Sequence, residues 1–534
     1  MPLDLASNTG PIALDDPDLG DFLADLQGNI LNGHGRDHAV HIFIAFKPGK
    51  LLAVKEWISR FAETLITSAK DQLDGAKAQK ESGIDAGLFA HFALSASGYD
   101  YLGVAKASQP YGANPQGRPS TLTIGGDELP FYSDSFQAGL KSRREALLDP
   151  PAEQWQDGFA GVLDALIILA DDNPSDLTAA ELAVRQQLHD IATIETVESG
   201  LTLRRKFEAT VNATDIQKSF GNVVEHFGYA DGVSQPLFVQ DKATESSGKY
   251  WPHAGAPLNL VLVADPNGRP AISFGSFLVF RKLEQNVRGF KTAEARLAKA
   301  LGLPRELAGA LAVGRYEDGT PAVLQPGDGI WAESSNPTIP NDFNYHGDPD
   351  GRKCPFHAHV RKSNPRLESV KAGGVLAQND EEELGHRIAR RGITYGGPLS
   401  TSEDLDELPS NGVGLLFMCY QSDIWEQFEF IQRFWCNNPL FLKPAIDTVA
   451  GQPSPPAAAR TGLDAVIGQK QDKLLDPLIG EAAQSPLNWP SEWGKATVQP
   501  SIASEDQFGQ FVTLKGGEYF FSPSLSFLRG LGAS

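Results

Sequence analysis

Residues 341–366 read NDFNYHGDPDGRKCPFHAHVRKSNPR, and after a gap rich in glutamate residues 386–397 read HRIARRGITYGG. The reading of this stretch decides how the rest of the chain is arranged around it. It holds His346, His357, His359 and His386, four of the eleven histidines, together with Cys354, Arg361, Arg366, Arg387, Arg390 and Arg391. Arginine stays charged and repels a protonated imidazole beside it. Such a gathering suits a place where an anion is held and a metal or a proton is handled. The stretch therefore reads as one wall of a cofactor site, and the earlier segment Phe227–Gly232, FGYADG, reads as the other.

Outward from there, each signal has a plain and a chemical reading. His357 and His359 are two apart, so on a strand they would face the same way as Arg361. A His-x-His pair can bind zinc, but no further Cys, His or Asp follows at zinc spacing. An axial imidazole on haem iron needs one histidine and no fixed spacing, with a carboxylate behind it that can be distant in sequence. Asp231 sits between glycines, as a turn aspartate does; beside a cofactor it could also move protons. Arg390 and Arg391 could form a solvated basic turn paired with Glu381–Glu383. If they enter a strand, only one of them can face the site. Leu415 and Phe417 alternate with Leu416 and by themselves read as core.

The rest of the chain alternates strands and helices. Ala39–Phe46 reads as a strand, Lys50–Ala69 as a helix and Leu88–Leu94 as a second strand. Gln109–Gly126 is a Gly/Pro/Ser-rich loop. Phe159–Ala170 reads as a strand, Leu177–Ile194 as a helix and Leu201–Phe207 as a strand. After a loop-rich stretch over Lys242–Pro270 a similar order returns. Phe274–Arg281 is a strand, Thr292–Leu301 a helix, and His359 lies on or beside a strand. Gly392–Tyr395 and Gly412–Tyr420 are strands, and Ile424–Phe434 is a helix. Gly451–Ala458 is a Pro-rich linker. Phe511–Leu514 and Tyr519–Phe521 are short strands around a Gly-Gly turn. This predicts an α+β protein of two ferredoxin-like domains, antiparallel sheets with peripheral helices. The expected division is a loose arm over 1–25, a first domain over 26–241 and a second over 242–534.

With 534 residues there is room for two or three domains. Lys and Arg number 46 against 67 Asp and Glu, a net charge of −21. A binder of polyanions needs a positive face, so nucleic acid and anionic membrane are not expected partners. The three cysteines, Cys354, Cys419 and Cys436, form no CxxC pair and suit a reducing compartment. The N-terminus is acidic, without a basic region before an apolar run, and no stretch reaches transmembrane length. The expectation is cytoplasmic, although a chain trimmed of its leader would look the same.

Six segments in order resemble the dye-decolourising peroxidases. They are LQGNILNGHGR (Leu26–Arg36), FGYADGVSQP (Phe227–Pro236), CPFHAHVRKSNPR (Cys354–Arg366), HRIARRGITYG (His386–Gly396), GLLFMCYQSD (Gly414–Asp423) and GGEYFFSP (Gly516–Pro523). The length and the GNILNGHGR start are similar to the larger, non-secreted branch. The resemblance implies haem b held mainly by the C-terminal half, with His359 as the iron ligand. It implies Asp231 and Arg390 as the distal catalytic pair, with Leu415 and Phe417 as the apolar residues over the distal face. Arg391 would face away, toward a haem propionate or acidic side chains. His357 departs from the family, which often has a small residue there, so two imidazoles compete for the ligand position. The implied reaction reduces hydrogen peroxide to water at the expense of dyes, phenols and other aromatic donors. Two alternatives stand beside it: a haem-handling or iron-releasing protein, and a haem-free interaction protein with a coincidental basic loop.

Overall fold

The structure is a computed structural model. It describes the chain outside residues 1–3, 6, 15, 84, 108–120, 125–126, 131–134, 208–221, 231, 233, 241–250, 252, 330–340, 372–379, 440, 443–460, 470–486, 501–507 and 534.

The sheet of the first half and two of its helices are β1 (His38–Phe46), α1 (Leu51–Thr64), β2 (Phe89–Ser95), β3 (Ala165–Asp171), α2 (Pro174–Leu188) and β4 (Ala192–Leu201). The run ALIILA in β3 is buried on both faces, as a central strand requires. On α1 the residues Val54, Trp57, Ile58 and Phe61 fall on one helical stripe, and all are buried against the sheet. The strands lie in the order β4-β1-β3-β2, all neighbours antiparallel.

The second half repeats this plan. It contains β5 (Phe274–Gln285), α3 (Val287–Leu301), α4 (His359–Ser363), β6 (Ala389–Arg390), β7 (Ile393–Tyr395), β8 (Gly414–Gln421) and β9 (Val512–Ser522). Between β8 and β9 the chain forms wide π-helical turns at Ile424–Glu429 and Ile431–Cys436. Asp423 caps the first of these, its Oδ1 accepting from the amides of Trp425 (2.9 Å) and Glu426 (3.0 Å). The sheet order is β9-β5-β8 with β6 and β7 both on β8, again antiparallel. Numbered within each half, both sheets read 4-1-3-2, the ferredoxin-like order.

The two sheets are continuous, because β9 pairs with β2 at Phe520–Ser95 and Phe521–Leu94. The far ends also meet. The Thr394 hydroxyl donates to the Leu201 carbonyl, and Gly200 lies so close to Ile393 that an added Cβ would be 2.5 Å from its side chain. The combined sheet therefore curls almost into a barrel around Phe43, Phe280 and Phe520. No helix among the described residues is long and apolar enough to cross a membrane.

Several expectations need correcting. His359 lies on α4, not on a strand. The segment is bracketed by Pro355 and Pro365 and winds a single helical turn, with the Lys362 amide 2.9 Å from the Ala358 carbonyl. His357, His359 and Arg361 consequently do not share a face. The fourth strand of this sheet is Ala192–Leu201; within the expected Leu201–Phe207 strand, Leu203–Arg205 is extended but pairs with Asn222–Val224 in a separate ribbon. The helix ends at Leu188, and the β-branched run Thr193, Ile194, Thr196, Val197 extends along β1. The third strand starts at Ala165, and Phe159 lies outside it. The Gly516-Gly517 pair is no turn but part of one strand. A Cβ on Gly516 would be 2.3 Å from the Phe159 ring, and one on Gly517 would be 2.3 Å from the Phe280 carbonyl. The N-terminal arm is docked, with Ile12 bonded to Phe238 and Phe22 and Leu23 buried. Within the expected loop at Gln109–Gly126, Thr121–Ile124 pairs with Asp127–Pro130; the rest of it and the Gly451–Ala458 linker lie outside the described residues.

Candidate active site

His359 opens α4, and its Nδ1 lies 2.9 Å from Oδ2 of Asp464, a residue 105 positions away. Asp464 is wholly buried, and its Oδ1 accepts from the amides of Val466 (2.8 Å) and Ile467 (2.9 Å). Burial alone would raise the Asp464 carboxyl, but the His359 ring and these amides outweigh it and hold it below the usual aspartate value. An ionised carboxylate only accepts, so in the neutral ring Nδ1 carries the proton and Nε2 the lone pair. Burial opposes a charged His359 ring. The charge and hydrogen bond of Asp464 overcome that and raise its pKa, against the repulsion of Arg390 and with help from Glu225. The side chain is 31% exposed although its partner is not exposed at all, so part of the ring away from Asp464 is open.

The sheet supplies a second wall. Arg390 pairs with Cys419 across β6 and β8, and Leu415 and Phe417 follow at alternate positions. These four side chains therefore share one face. Leu415 and Phe417 are half-buried, whereas Leu416 and Met418 on the other face are completely buried. Arg390 is half-buried as well, and its charge acts on both His359 and Cys419.

The third contribution is the FGYADG segment. Glu225 lies half-buried beneath it and accepts from the amides of Phe227 (2.8 Å) and Tyr229 (3.1 Å) and from Gln285. Burial raises the Glu225 carboxyl above its ordinary value despite these donors. Tyr229 donates to Glu294 at 2.6 Å, and the Ala230 amide bonds to the Glu317 carbonyl at 2.8 Å. Downstream, Ser234 accepts from Arg366 at 2.8 Å and Gln235 from Arg391 at 3.2 Å. Asp231 itself lies outside the described residues.

Much of the basic stretch that suggested a site wall is internal scaffolding. Arg361 is fully buried between Asp348 and Glu368 and also donates to the Cys354 carbonyl. Arg366 donates through Nη1 to the carbonyls of Asn341 and Phe343 and lies over the Phe343 ring, with its buried Nε left without a partner among the described residues. Arg387 donates to the carbonyls of Leu384 and His253. Glu383 does not pair with Arg390; it accepts from Leu367 and Ser369. His346 is exposed, and His386 stacks on Phe430 at 3.6 Å. His357 is buried edge-on against Trp489 at 4.3 Å, and burial pushes its pKa down to about 3. Among the described residues its Nε2 has no partner, and Asp464 acts on its ring through charge, its hydrogen bond going to His359 instead. Arg391 donates to the carbonyls of Asn29, Ile30 and Arg390 as well as to Gln235. Its bonded partners are thus carbonyl and amide oxygens.

Two residues of the site escaped the sequence. Asp464 stands alone in TGLDAVIG with no spacing to tie it to His359, and Glu225 is a single acid before FGYADG. An aspartate followed by three apolar residues was the only signal, and it marks a buried cap as well as a ligand's partner.

The donor set fits a haem. It offers an imidazole backed by a carboxylate, an apolar half-open face, and a guanidinium whose charge reaches the imidazole. Among the described residues no three His, Cys, Asp or Glu side chains gather as a metal cluster, so the zinc alternative finds no ligand set there. No protein-family model matches the chain. It is 37% identical to the multifunctional dye peroxidase DyP2 of Amycolatopsis sp. over 549 residues, covering 99% of this chain and all of that one. The solved structure of that peroxidase superposes with a TM-score of 0.79 at 35% identity, covering 99% of this chain and 100% of that one. A DyP-type peroxidase of Anabaena sp. gives a TM-score of 0.77 at 37% identity over 98% and 97% of the two chains. A deferrochelatase of Yersinia pestis is 28% identical over 204 residues only, 37% of this chain and 40% of that one. With relatives this similar along the whole chain, and a site that fits their cofactor, the chain belongs to the dye-decolourising (DyP-type) peroxidases, oxidoreductases that work with haem.

Proposed function

We propose that this enzyme binds haem b through His359 Nε2 and reduces hydrogen peroxide at the expense of phenols, dyes and similar aromatic donors. The observation that carries the reading is the His359–Asp464 pair. In the neutral ring its geometry keeps the proton on Nδ1 and the lone pair on Nε2, and part of the ring away from Asp464 is open. Bound haem supplies the redox centre that takes up peroxide and passes two oxidising equivalents to donors. Asp464 draws the imidazole toward imidazolate, which favours electron-poor iron. Asp231 would take one proton from peroxide and return it to the departing oxygen. Arg390 holds the negative charge that develops between those two transfers. Leu415 and Phe417 narrow the pocket to small oxidants, so bulky donors give up electrons from outside. One peroxide and two donors, each losing an electron and a proton, yield two waters and two donor radicals.

The test is reconstitution of the apo chain with haem b. A stoichiometric Soret band, lost in His359→Ala, with peroxide-dependent oxidation of a phenol supports the reading. Release of iron with accumulation of protoporphyrin, and no phenol oxidation, would favour the haem-dismantling alternative, which the partial likeness to a deferrochelatase keeps in view.

A further inference from the structure

The opening motif LQGNILNGHGR has no part in the chemistry above, yet it is among the most tightly fixed segments of the molecule. Gln27 exchanges two hydrogen bonds with the backbone of Phe92, both 2.9 Å, and donates to the Pro523 carbonyl at 2.8 Å. A Cβ on Gly28 would be 2.8 Å from the Phe89 ring and 2.9 Å from Gln72 Oε1. Asn29 holds a positive φ of 72°, unusual for a residue other than glycine. Gln72 spans the loop beyond, accepting from the Asn29 amide (2.7 Å) and donating to the carbonyls of Asn32 (3.0 Å) and Gly33 (2.7 Å). The segment is thus a rigid strap across the end of the barrel, anchored to β2 and to the end of β9.

What the strap presents is a pair of carbonyls, and Arg391 fills them. Its Nε donates to the Asn29 carbonyl at 2.7 Å and its Nη2 to the Ile30 carbonyl at 2.8 Å. The remaining nitrogen, Nη1, donates to the carbonyl of Arg390 at 2.7 Å and to Oε1 of Gln235 at 3.2 Å. The Arg391 amide is held in turn by the Met418 carbonyl of β8 at 2.8 Å. One buried guanidinium therefore joins the strap, the backbone of Arg390 and the stretch that follows Asp231 in the chain. A planar fork fixes all of them in one plane, which an ammonium cannot do.

We propose that Arg391 is a positioning residue: it registers the Ser234–Gln235 stretch against Arg390, with the N-terminal strap as the fixed reference. The proposal rests on the distal roles read above for Asp231 and Arg390. It departs from the propionate role that the family resemblance implied for Arg391. A displacement of about 1 Å between reacting groups can cost as much as 10²-fold in rate, so the link matters for chemistry even though Arg391 touches no substrate.

The experiment compares Arg391→Met, Arg391→Lys and Gln235→Leu with the unaltered enzyme, all loaded with haem. Four quantities are measured: haem content, the second-order rate with peroxide, the pH profile of the cyanide dissociation constant, and amide hydrogen exchange over residues 28–31. Arg391→Met is expected to keep its haem, lose protection at 28–31, shift the cyanide pH profile and slow the peroxide reaction about 10–100-fold. Arg391→Lys should recover part of each. Gln235→Leu should shift the cyanide profile and slow the reaction with the strap still protected. Loss of haem in place of rate in Arg391→Met would return Arg391 to a cofactor contact. Unchanged rate and cyanide profile with a loosened strap would leave it a structural bond only, and a Gln235→Leu enzyme with normal rate and profile would break the proposed link. If the unaltered enzyme binds haem but ignores peroxide, the peroxidase reading fails by itself. The positioning role is then decided by hydrogen exchange and cyanide binding, which need no turnover.

Discussion

Asp464→Asn isolates the feature on which the assignment of the iron ligand rests. The carboxylate receives the amides of Val466 and Ile467 on Oδ1 and the His359 ring on Oδ2, with the Cys436 thiol as a further donor. Asparagine has the same shape, but one of its two positions donates. If its oxygen stays with the two amides, its NH₂ meets the Nδ1 proton of His359. The imidazole must then move its proton to Nε2, and the lone pair needed for iron disappears. If the amide rotates instead, two buried N–H groups lose their acceptor, at about 1–3 kcal/mol each. Either route makes the ligating state a minor one. Loss of such a supporting contact typically weakens metal binding 10–100-fold, which is about 1.4–2.8 kcal/mol. Haemin titration of the apo chain, followed at the Soret band, should show that loss. The ferric–ferrous midpoint should rise, because the imidazole no longer leans toward imidazolate. An affinity within twofold of the unaltered protein together with an unchanged midpoint would refute the role given to the pair.

Three further outcomes follow from the same geometry. Arg390→Leu should keep its haem and slow the peroxide reaction by roughly 10²–10³-fold, and Asp231→Asn by roughly 10²–10⁴-fold; stopped-flow mixing with peroxide reads both. His359→Ala should abolish stable haem binding, whereas His357→Ala should keep the Soret band and lower the melting temperature, since its ring packs on Trp489; the reverse pattern would exchange the two histidines. Four histidines, His34, His41, His91 and His357, are held neutral by burial, with pKa values lowered to between about 3 and about 4. A folded pKa below the unfolded one means that the unfolded chain takes up protons first as pH falls. Stability from these rings is therefore complete above about pH 6.5 and declines toward pH 4, by up to about 1.4 kcal/mol per pH unit for each. His41→Leu removes a ring whose nitrogens both lack partners, so chemical unfolding of the apo chain at pH 7 and pH 5 should show a flatter acid slope for this variant.

The strand–helix alternation was legible because it rests on local periodicity. The apolar run of β3, the stripe on α1 and the β-branched run of β1 each declare themselves within a few residues. Errors came where tertiary contacts override local cues. Gly516-Gly517 looks like a turn until Phe159 is seen lying over it, and TIETVES looks like a helix end until it pairs with β1. The site shows the same division. His359, Arg390, Leu415 and Phe417 lie in recognisable segments, whereas Asp464 is tied to His359 only by folding. The density of arginines was misleading in its physical argument. Guanidiniums buried at 361 and 366, and part-buried at 387, are costly when unpaired, but carboxylates or carbonyls meet each of them. The work of Arg391 depends on two carbonyls more than three hundred and sixty positions earlier (|i−j| of 362 and 361), and no spacing rule reaches that far.

The two halves share one topology, so the position of the site must come from what differs between them. In the first half α1 passes to β2 across residues 65–88, and α2 passes to β4 across a short turn after Leu188. In the second half the corresponding connections are longer, and they carry His359 between α3 and β6 and Asp464 between the π-helical turns and β9. These insertions hold each other: the Asp464 amide bonds to the Cys436 carbonyl at 2.9 Å, and the Ala465 amide to the His357 carbonyl at 3.0 Å. The wall bearing the imidazole is therefore assembled from loops, while the wall bearing Arg390, Leu415 and Phe417 is made by the sheet. The two can be perturbed separately. A slip in the β6–β8 register would turn Arg390 away from Leu415 and Phe417, yet it would leave His359 and Asp464 bonded as they are.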